Sequence, residues 1–595
     1  MSATSSAPAA TSEMFTDMSE VLNKPVDRSR DLSQPLERLG PDETLKATSD
    51  QLRGTIEESL ADPITGGVLF SDNKLMKFHG IYQQDDRDLR DERRRQKLEP
   101  AYQFMIRVRL PGGVCTPERW LRLDEIGRRY ADGTLRLTTR QTFQFHGVLK
   151  GNLKRSIQAM HSVLLDTIAA CGDDARGVMC SVNPHRSAIH AEVYRIAKAA
   201  SDHAIPRMPA YHEIWLGKER VAGSGPEEPF YGKQYMPRKF KIGFVMPPSN
   251  DIDIYTQDLG FIAIAGPEGL EGFNVTIGGG MGRTDGAPET FPRLADVIGF
   301  IPVDKVNETC DAVMAVQRDY GDRVDRARAR FKYTVEDKGL DWIKAEIESR
   351  LGFALAAARP FEFVTNGDDL GWTTGDDGNH HFGLFIESGR VANRNGYNLM
   401  DGLRAIAEVH QGEFRLTPNQ NLVIANIAPD RRAEIEELLD RYGITGANAG
   451  SALRRNSIAC VALPTCGLAM AESERYLPKL VTKLEAMFAE HGLADEPVTI
   501  RMSGCPNGCS RPYVAEIAFT GRAPGKYNVY LGGGFHGQRL NRMYLENVGE
   551  ETILSELGPI IARYGAERLP GERFGDFTIR AGYVREVKAG REFND

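Results

Sequence analysis

The chain has no long apolar run, and none of its hydrophobic segments approaches the roughly 18 residues that a membrane span requires. Its first residues, MSATSSAPAATSEM, hold neither the basic start nor the apolar centre of a secretory signal. Cysteine is scarce, 8 in 595 residues, and Cys115, Cys171, Cys180 and Cys310 stand singly, unlike the dense pattern of a disulfide-stapled secreted domain. Net positive charge is also missing: 74 Lys and Arg face 82 Asp and Glu, a formal charge of -8. These absences point to a soluble, cytoplasmic chain in a reducing compartment, with no membrane and no nucleic acid among its partners. The basic stretch Arg90 to Lys97 interleaves with Asp85, Asp86, Asp88 and Glu92, which predicts a solvated helical face.

What the chain does have is a pair of cysteine pairs. Cys460 and Cys466 are spaced C-x5-C, and Cys505 and Cys509 flank Pro506-Asn507-Gly508 in a C-x3-C turn. Four soft thiolates at these spacings suit an iron-sulfur cluster better than the C-x2-C knuckles usual for zinc. A zinc clip, or four plain buried thiols in a binding protein, stays open on spacing alone.

Internal repetition organises the rest. Arg136-Leu137-Thr138-Thr139-Arg140-Gln141 recurs as Arg415-Leu416-Thr417-Pro418-Asn419-Gln420, and Phe273 to Ile277 with Gly278-Gly279-Gly280 recurs as Tyr527 to Leu531 with Gly532-Gly533-Gly534. Each repeat joins strand-like and helical patterns, so two fused α+β copies about a pseudo-two-fold axis are expected, with the site between them. The glycines end strands where a backbone approaches another surface closely. Helices are expected over Pro478–Glu490 and Glu551–Tyr564. The first sixty or so residues, rich in Ser, Ala, Pro and charge, read as a flexible extension suited to docking a partner protein. His380 and His381 read as loop residues.

Alternation from Thr134 to Val148 places Leu135, Leu137, Phe143 and Phe145 on one face and Arg136, Thr138, Arg140, Thr142, Gln144 and His146 on the other. Phe104 to Leu110 sets Arg107 and Arg109 opposite an apolar row, and Lys239 and Lys241 share one side of a third run. Several strands that present cations together suggest a polycarboxylate or oxyanion ligand. Gly532-x-Gly534-x-x-Gly537 satisfies the dinucleotide fingerprint, but its repeat at Gly278 lacks the third glycine and no alternating parallel strands surround it.

At these residues the sequence resembles the sulfite and nitrite reductase family that uses sirohaem coupled to a four-iron four-sulfur cluster. The matching stretches are Lys77-Phe78-His79-Gly80, Gln83 to Asp88, Thr138 to Gly147, Pro237 to Lys241, the cysteine pairs and Phe574-Gly575-Asp576-Phe577. The branch resembled most comprises the haemoprotein (beta) subunits of assimilatory NADPH-dependent sulfite reductases, through Lys97 to Pro100 and Arg107 to Gly113. Gly278 to Thr284 is equally similar to ferredoxin-dependent enzymes, so ferredoxin-dependent sulfite or nitrite reduction is the rival.

The resemblance implies six-electron reduction of sulfite to sulfide. It implies that Cys460, Cys466, Cys505 and Cys509 hold the cluster and that Cys509 is also the axial thiolate of the sirohaem iron. Arg136, Arg140, Gln144, His146, Arg238 and Asn507 would meet the sirohaem carboxylates, and Arg107, Arg176, Lys239 and Lys241 the anion. Electrons would come from an NADPH-dependent flavoprotein subunit carrying FAD and FMN, or from ferredoxin, since no flavin domain is recognisable here. Lys241 favours sulfite, because the nitrite-reducing branch commonly has asparagine there. The division implied is an extension at 1–65, ferredoxin-like repeats at 66–168 and 373–447, a sirohaem and substrate domain at 169–372, and an iron-sulfur and sirohaem domain at 448–595. Two departures stand out: Ala175 and Gly177 replace the asparagines that usually flank Arg176, and Gly467 replaces proline after the second cysteine.

Overall fold

The computed structural model describes residues 27–182, 187–207, 214–216, 219–222, 228–394 and 396–595. Its core is built from four five-stranded sheets in two matched pairs. The first sheet runs Ile81–Asp85, Tyr102–Arg107, Phe143–Val148, Leu135–Leu137, Arg390–Val391, and every neighbour is antiparallel. Its counterpart runs Gly371–Thr374, His380–Leu384, Leu422–Ile427, Glu413–Leu416, Val114–Cys115, again antiparallel throughout. The fifth strand of each sheet is lent by the other copy: Arg390 pairs with Arg136, and Val114 with Arg415. Reciprocal lending ties the two sheets into one core, where Trp120 stacks on Phe414 with centroids 4.6 Å apart. The helix Pro117–Tyr130 closes that core. It starts on Pro117 with the Thr116 hydroxyl accepting from Arg119 N, and it buries Trp120, Leu123 and Ile126 as a stripe.

The second pair repeats the logic. Met179–Cys180, Ile242–Val245, Leu259–Gly266, Gly269–Ile277 and Asp296–Pro302 form one sheet, and Ser457–Ala459, Ile500–Ser503, Ile517–Ala523, Lys526–Leu531 and Arg542–Val548 the other. In both, the first three strands are parallel and the last two antiparallel. Ile242 faces Leu259 as Ile500 faces Ile517, so the intervening loops match residue for residue. Cys460 then corresponds to Ser181, Cys505 to Pro247, Cys509 to Asp251, and Arg511 to Asp253. The duplicated α+β architecture expected from the repeats is present.

Local expectations fare unevenly. The helices Leu477–Glu490 and Glu550–Glu567 lie where expected, and the exposed helix Arg90–Arg95 carries its charges as Asp91–Arg94 and Glu92–Arg95 pairs. Gly532 to Gly537 lies between antiparallel strands, so no dinucleotide-binding turn forms. The glycine runs do serve close approach: a Cβ on Gly279 would meet Tyr255 O at 2.3 Å, and one on Gly533 would meet Ala515 O at 2.2 Å.

Three expectations are corrected. Thr134 to Val148 is a hairpin, because Gln141 turns the chain at φ +52°. His380 and His381 open a strand. The described part of the expected flexible extension, residues 27–65, is folded onto the body, with helices Pro41–Thr48 and Ile56–Ala61. Glu43 and Lys46 are buried there, pair with one another at 2.6 Å, and Glu43 takes Arg323 at 2.5 Å. Composition suggested solvent for charges that fold satisfies by pairing.

Candidate active site and metal centre

The four cysteines sit on two loops that leave adjacent parallel strands. Cys460 follows Ser457–Ala459 and donates its N–H to Met502 O at 3.1 Å; the loop Gly504 to Cys509 follows Ile500–Ser503. Gly504 N–H donates to Cys460 Sγ at 3.2 Å, and the Asn507 amide reaches Cys505 Sγ at 3.6 Å. The approach of the loops needs glycine, because a Cβ on Gly504 would stand 2.5 Å from that of Ala462. Arg87 ties down the other end, donating from its backbone to Pro464 O at 3.1 Å and from its guanidinium to Cys466 O at 3.2 Å.

The thiols feel one another. Burial and then the neighbouring Cys509 push Cys460 up to about 12, and the same causes in the same order raise Cys505 and Cys466. Four anions this close form only around compensating cationic charge, which is what iron supplies. Among the described residues no three Cys, His, Asp or Glu side chains converge tightly enough for a single metal ion. Four soft thiolates on two adjoining loops, spaced C-x5-C and C-x3-C, are a donor set that fits an iron-sulfur cluster.

Beside this centre lies a cationic wall. The polar face of the hairpin is buried: Arg136 is 1% exposed, and Gln144 and His146 are also inside. Arg136 donates to Ala459 O at 2.9 Å and pairs with Glu474, which also holds Arg390 at 2.7 Å. Arg140 donates to Gly177 O at 2.7 Å and Gln257 Oε1 at 3.0 Å. Burial and the neighbouring Arg176 lower its pKa to about 9. His146 Nδ1 faces Gln84 Oε1 at 3.3 Å, while its Nε2 and the Arg136 Nε are buried without partners. The orphaned Arg136 Nε–H, a cationic donor, fits a polycarboxylate macrocycle.

Next to that wall stand the other four cations. Arg107 donates to Cys171 Sγ at 2.9 Å and shares the Ala170 carbonyl with Arg176, at 3.3 and 3.0 Å. With its amide oxygen turned to Arg107, Gln144 accepts from Nε at 3.1 Å. Lys239 and Lys241 are half-buried on either side of the buried Phe240. Burial, then Arg238 and Arg330, lower Lys239 to about 7, and burial with Lys239 depresses Lys241 further. Arg238 lies 3.8 Å from Asp173, and burial followed by Arg326 lowers its pKa to about 10.

The structure thus brings together the cations and cysteines picked out in the sequence. The Thr139 hydroxyl, on the hairpin turn between Arg136 and Arg140, donates to Cys509 O at 2.9 Å. Residues the sequence reading missed are the counter-charges: Glu474, Asp173, which takes Arg326 at 2.8 Å, and Asp258, which takes Arg330 at 2.9 Å and the Lys241 N–H at 3.0 Å. No spacing signal marks them, since each reaches its partner only through the fold. A cavity of about 430 Å³ lies in the counterpart half, where Thr499 stands for Lys241; its lining contains Arg501, Asn419 and Asp368 but no cysteine.

Two families of sequence match. Residues 197–355 match the nitrite and sulphite reductase 4Fe-4S domain, and residues 95–163 and 374–442 each match the nitrite/sulfite reductase ferredoxin-like half domain. The 4Fe-4S match falls on the copy without the clustered cysteines; the copy that has them shares its strand order. The chain is 68% identical over 576 residues to the sulfite reductase (NADPH) hemoprotein beta-component of Afipia carboxidovorans, covering 96% of this chain and 99% of that one. It is 70% identical over 567 residues to the protein of the same name from Bordetella petrii, covering 95% and 97%. Among solved structures, the NirA protein of Mycobacterium tuberculosis superposes with a TM-score of 0.74 at 26% identity, covering 93% of this chain and 97% of that one. No helix among the described residues is long and apolar enough to cross a membrane. By sequence along nearly its whole length, and by the duplicated fold around its cysteine loops, the chain belongs to the nitrite and sulphite reductase family.

Proposed function

We propose that this chain is the cytoplasmic haemoprotein component of an NADPH-dependent sulfite reductase, reducing sulfite to sulfide with six electrons delivered by a separate flavoprotein. The observation that carries the reading is the junction at Cys509, where the loops that bear the four cysteines meet the wall of cations through Thr139. When bound, sirohaem and a four-iron four-sulfur cluster supply stored electrons and an iron that receives the anion.

The chain's own residues do the rest. Cys460, Cys466, Cys505 and Cys509 would hold the cluster, and Cys509 would also help to hold the sirohaem. Arg136, Arg140, Gln144, His146, Arg238 and Asn507 would hold the sirohaem through its carboxylates. Arg107 and Arg176, fixed on the Ala170 carbonyl, orient the anion. Lys239, lowered to about 7 by burial and its cationic neighbours, yields a proton readily near neutrality, and Lys241 stands beside it. The oxygens that leave as water need those protons. Lys241 favours the doubly charged sulfite over nitrite, because an added cation gains more from the greater charge.

Purified holoprotein is expected to be coloured, to contain iron and acid-labile sulfide, and to reduce sulfite with an artificial dye. With NADPH, activity is expected only after a flavoprotein partner is added. Colourless protein containing zinc would sink the reading, and activity with reduced ferredoxin alone would change the donor.

A further inference from the structure

Directly behind the anion-binding arginines lies a carboxyl that the mechanism above does not use. Asp174 is fully buried, and neither of its oxygens has a hydrogen-bond partner on another residue; its own backbone N–H is the donor nearby. Its Oδ1 stands 3.6 Å from Arg176 Nε, beyond hydrogen-bond range, and that Nε donates to Gly172 O at 3.1 Å. The nearby groups are few. Asp173 precedes it and is engaged by Arg326 and Lys46; Tyr231, from the facing segment, donates to Ala204 O at 2.6 Å; a Cβ on Gly172 would stand 2.9 Å from Asp174 Oδ2. On the far side of Arg176 are Arg107, Arg140, Tyr82, Cys171 and Lys239.

We propose that Asp174 is a positioning residue that sets how much positive charge Arg176 presents to sulfite, so that sulfite affinity falls when Asp174 loses its proton. The inference rests on the assignment of Arg176 to the anion site. A carboxylate without donors from other residues, sealed from water, is costly, and such a group stays protonated instead. Burial raises the Asp174 pKa well above the ordinary carboxylate range, and Asp173 adds to the effect against the opposing pull of Arg176. As a neutral acid it leaves the guanidinium fully charged. As an anion it would form a buried ion pair with Arg176 and compete with the substrate for the same cation. The residue lies in the stretch Asp173-Asp174-Ala175-Arg176-Gly177, where both residues flanking Arg176 are small, so no amide screens the two charges.

The test is the sulfite KM of the dye-driven holoenzyme across neutral and alkaline pH, for the natural protein, Asp174→Asn and Arg176→Gln. Sulfite ionisation and the Lys239 titration are common to the first two, so their difference isolates Asp174. At neutral pH the two are expected to agree within about twofold in KM and kcat, and at alkaline pH the natural enzyme's KM is expected to rise above that of Asp174→Asn by roughly tenfold. Infrared difference spectra are expected to show a protonated-carboxyl band at neutral pH that is absent from Asp174→Asn and fades over the range where the KM values part. Superimposed profiles, a lower KM in Asp174→Asn already at neutral pH, or an equal rise at every pH would each overturn the inference. Arg176→Gln is expected to raise KM throughout; if it does not, the anion-site assignment fails first.

Discussion

Asp253 and Arg511 occupy the same position in the two copies and are ion-paired with each other, Oδ2 to Nε at 2.5 Å. Both have left-handed backbones, at φ +50° and +55°, and Arg501 adds a second contact to the same carboxylate at 2.6 Å. Arg511 also donates to Thr139 O at 3.0 Å and Pro418 O at 3.0 Å, so one guanidinium holds the repeated turns of both copies against the cysteine loop. Arg511→Met leaves Asp253 with Arg501 alone and strands two carbonyls. It is expected to cost about 3–5 kcal/mol, read as a lower denaturant midpoint, and to reduce the iron content of purified protein.

On the proposed function, Lys239 is expected to give the reaction its pH dependence. A lysine lowered to about 7 is protonated below that pH and neutral above it, so both its attraction for an anion and its capacity as an acid are lost as pH rises through about 7. kcat/KM for sulfite is expected to fall over that range. Lys239→Gln should remain low at acid pH and lose this limb, measured against sulfite with a dye donor.

Gly504 is the tightest point of the metal centre. A methyl group there would collide with Ala462 and stand 2.7 Å from Ala471 O, in the loop between the two cysteine pairs. Gly504→Ala is expected to destabilise the fold by about 1–3 kcal/mol. Iron and labile sulfide per chain should fall together, while Gly467→Ala, with nothing near its added carbon, should leave both unchanged.

The amino-terminal helix Pro41–Thr48 is structural. Lys46 Nζ contacts Glu43 at 2.6 Å, Met236 O at 2.8 Å and Asp173 at 3.7 Å, and Asp173 in turn faces Arg238. Lys46→Met leaves Glu43 and Asp173 short of a buried partner and is expected to cost about 3–5 kcal/mol. Removal of the first sixty residues is expected to abolish dye-driven activity together with natural-donor activity. Survival of dye activity alone would instead restore a pure docking role.

The faces of the hairpin were legible from alternation, since Leu135, Leu137, Phe143 and Phe145 are all fully buried. Its turn was not, because polar residues continue the alternation through Thr138 to Thr142 and nothing in Gln141 advertises a positive φ. The cysteine spacing and the paired Arg-Leu-Thr runs located both the centre and the duplication, being local patterns tied to local geometry. Glu474 escaped notice because it meets Arg136 from 338 residues away, a relation created only by packing. The amino-terminal segment was misread for a related reason: composition registers charge and small residues, but not that Glu43, Lys46 and Arg323 neutralise one another inside.

Where the metal-bearing lobe has Cys460 and Cys509, its twin has Ser181 and Asp251, joined by a hydrogen bond of 2.7 Å and steadied by the Val182 N–H at 3.0 Å. The twin has sealed its own vacancy with oxygen chemistry, and Pro247 stands in the slot of a third sulfur. No single substitution would give the twin a matching cysteine set, because each thiol introduced alone would face a hydroxyl, a carboxyl or a pyrrolidine ring. Among the described residues the clustered cysteines therefore belong to one lobe alone, and its twin closes the matching loops with a hydrogen-bonded Ser181 and Asp251.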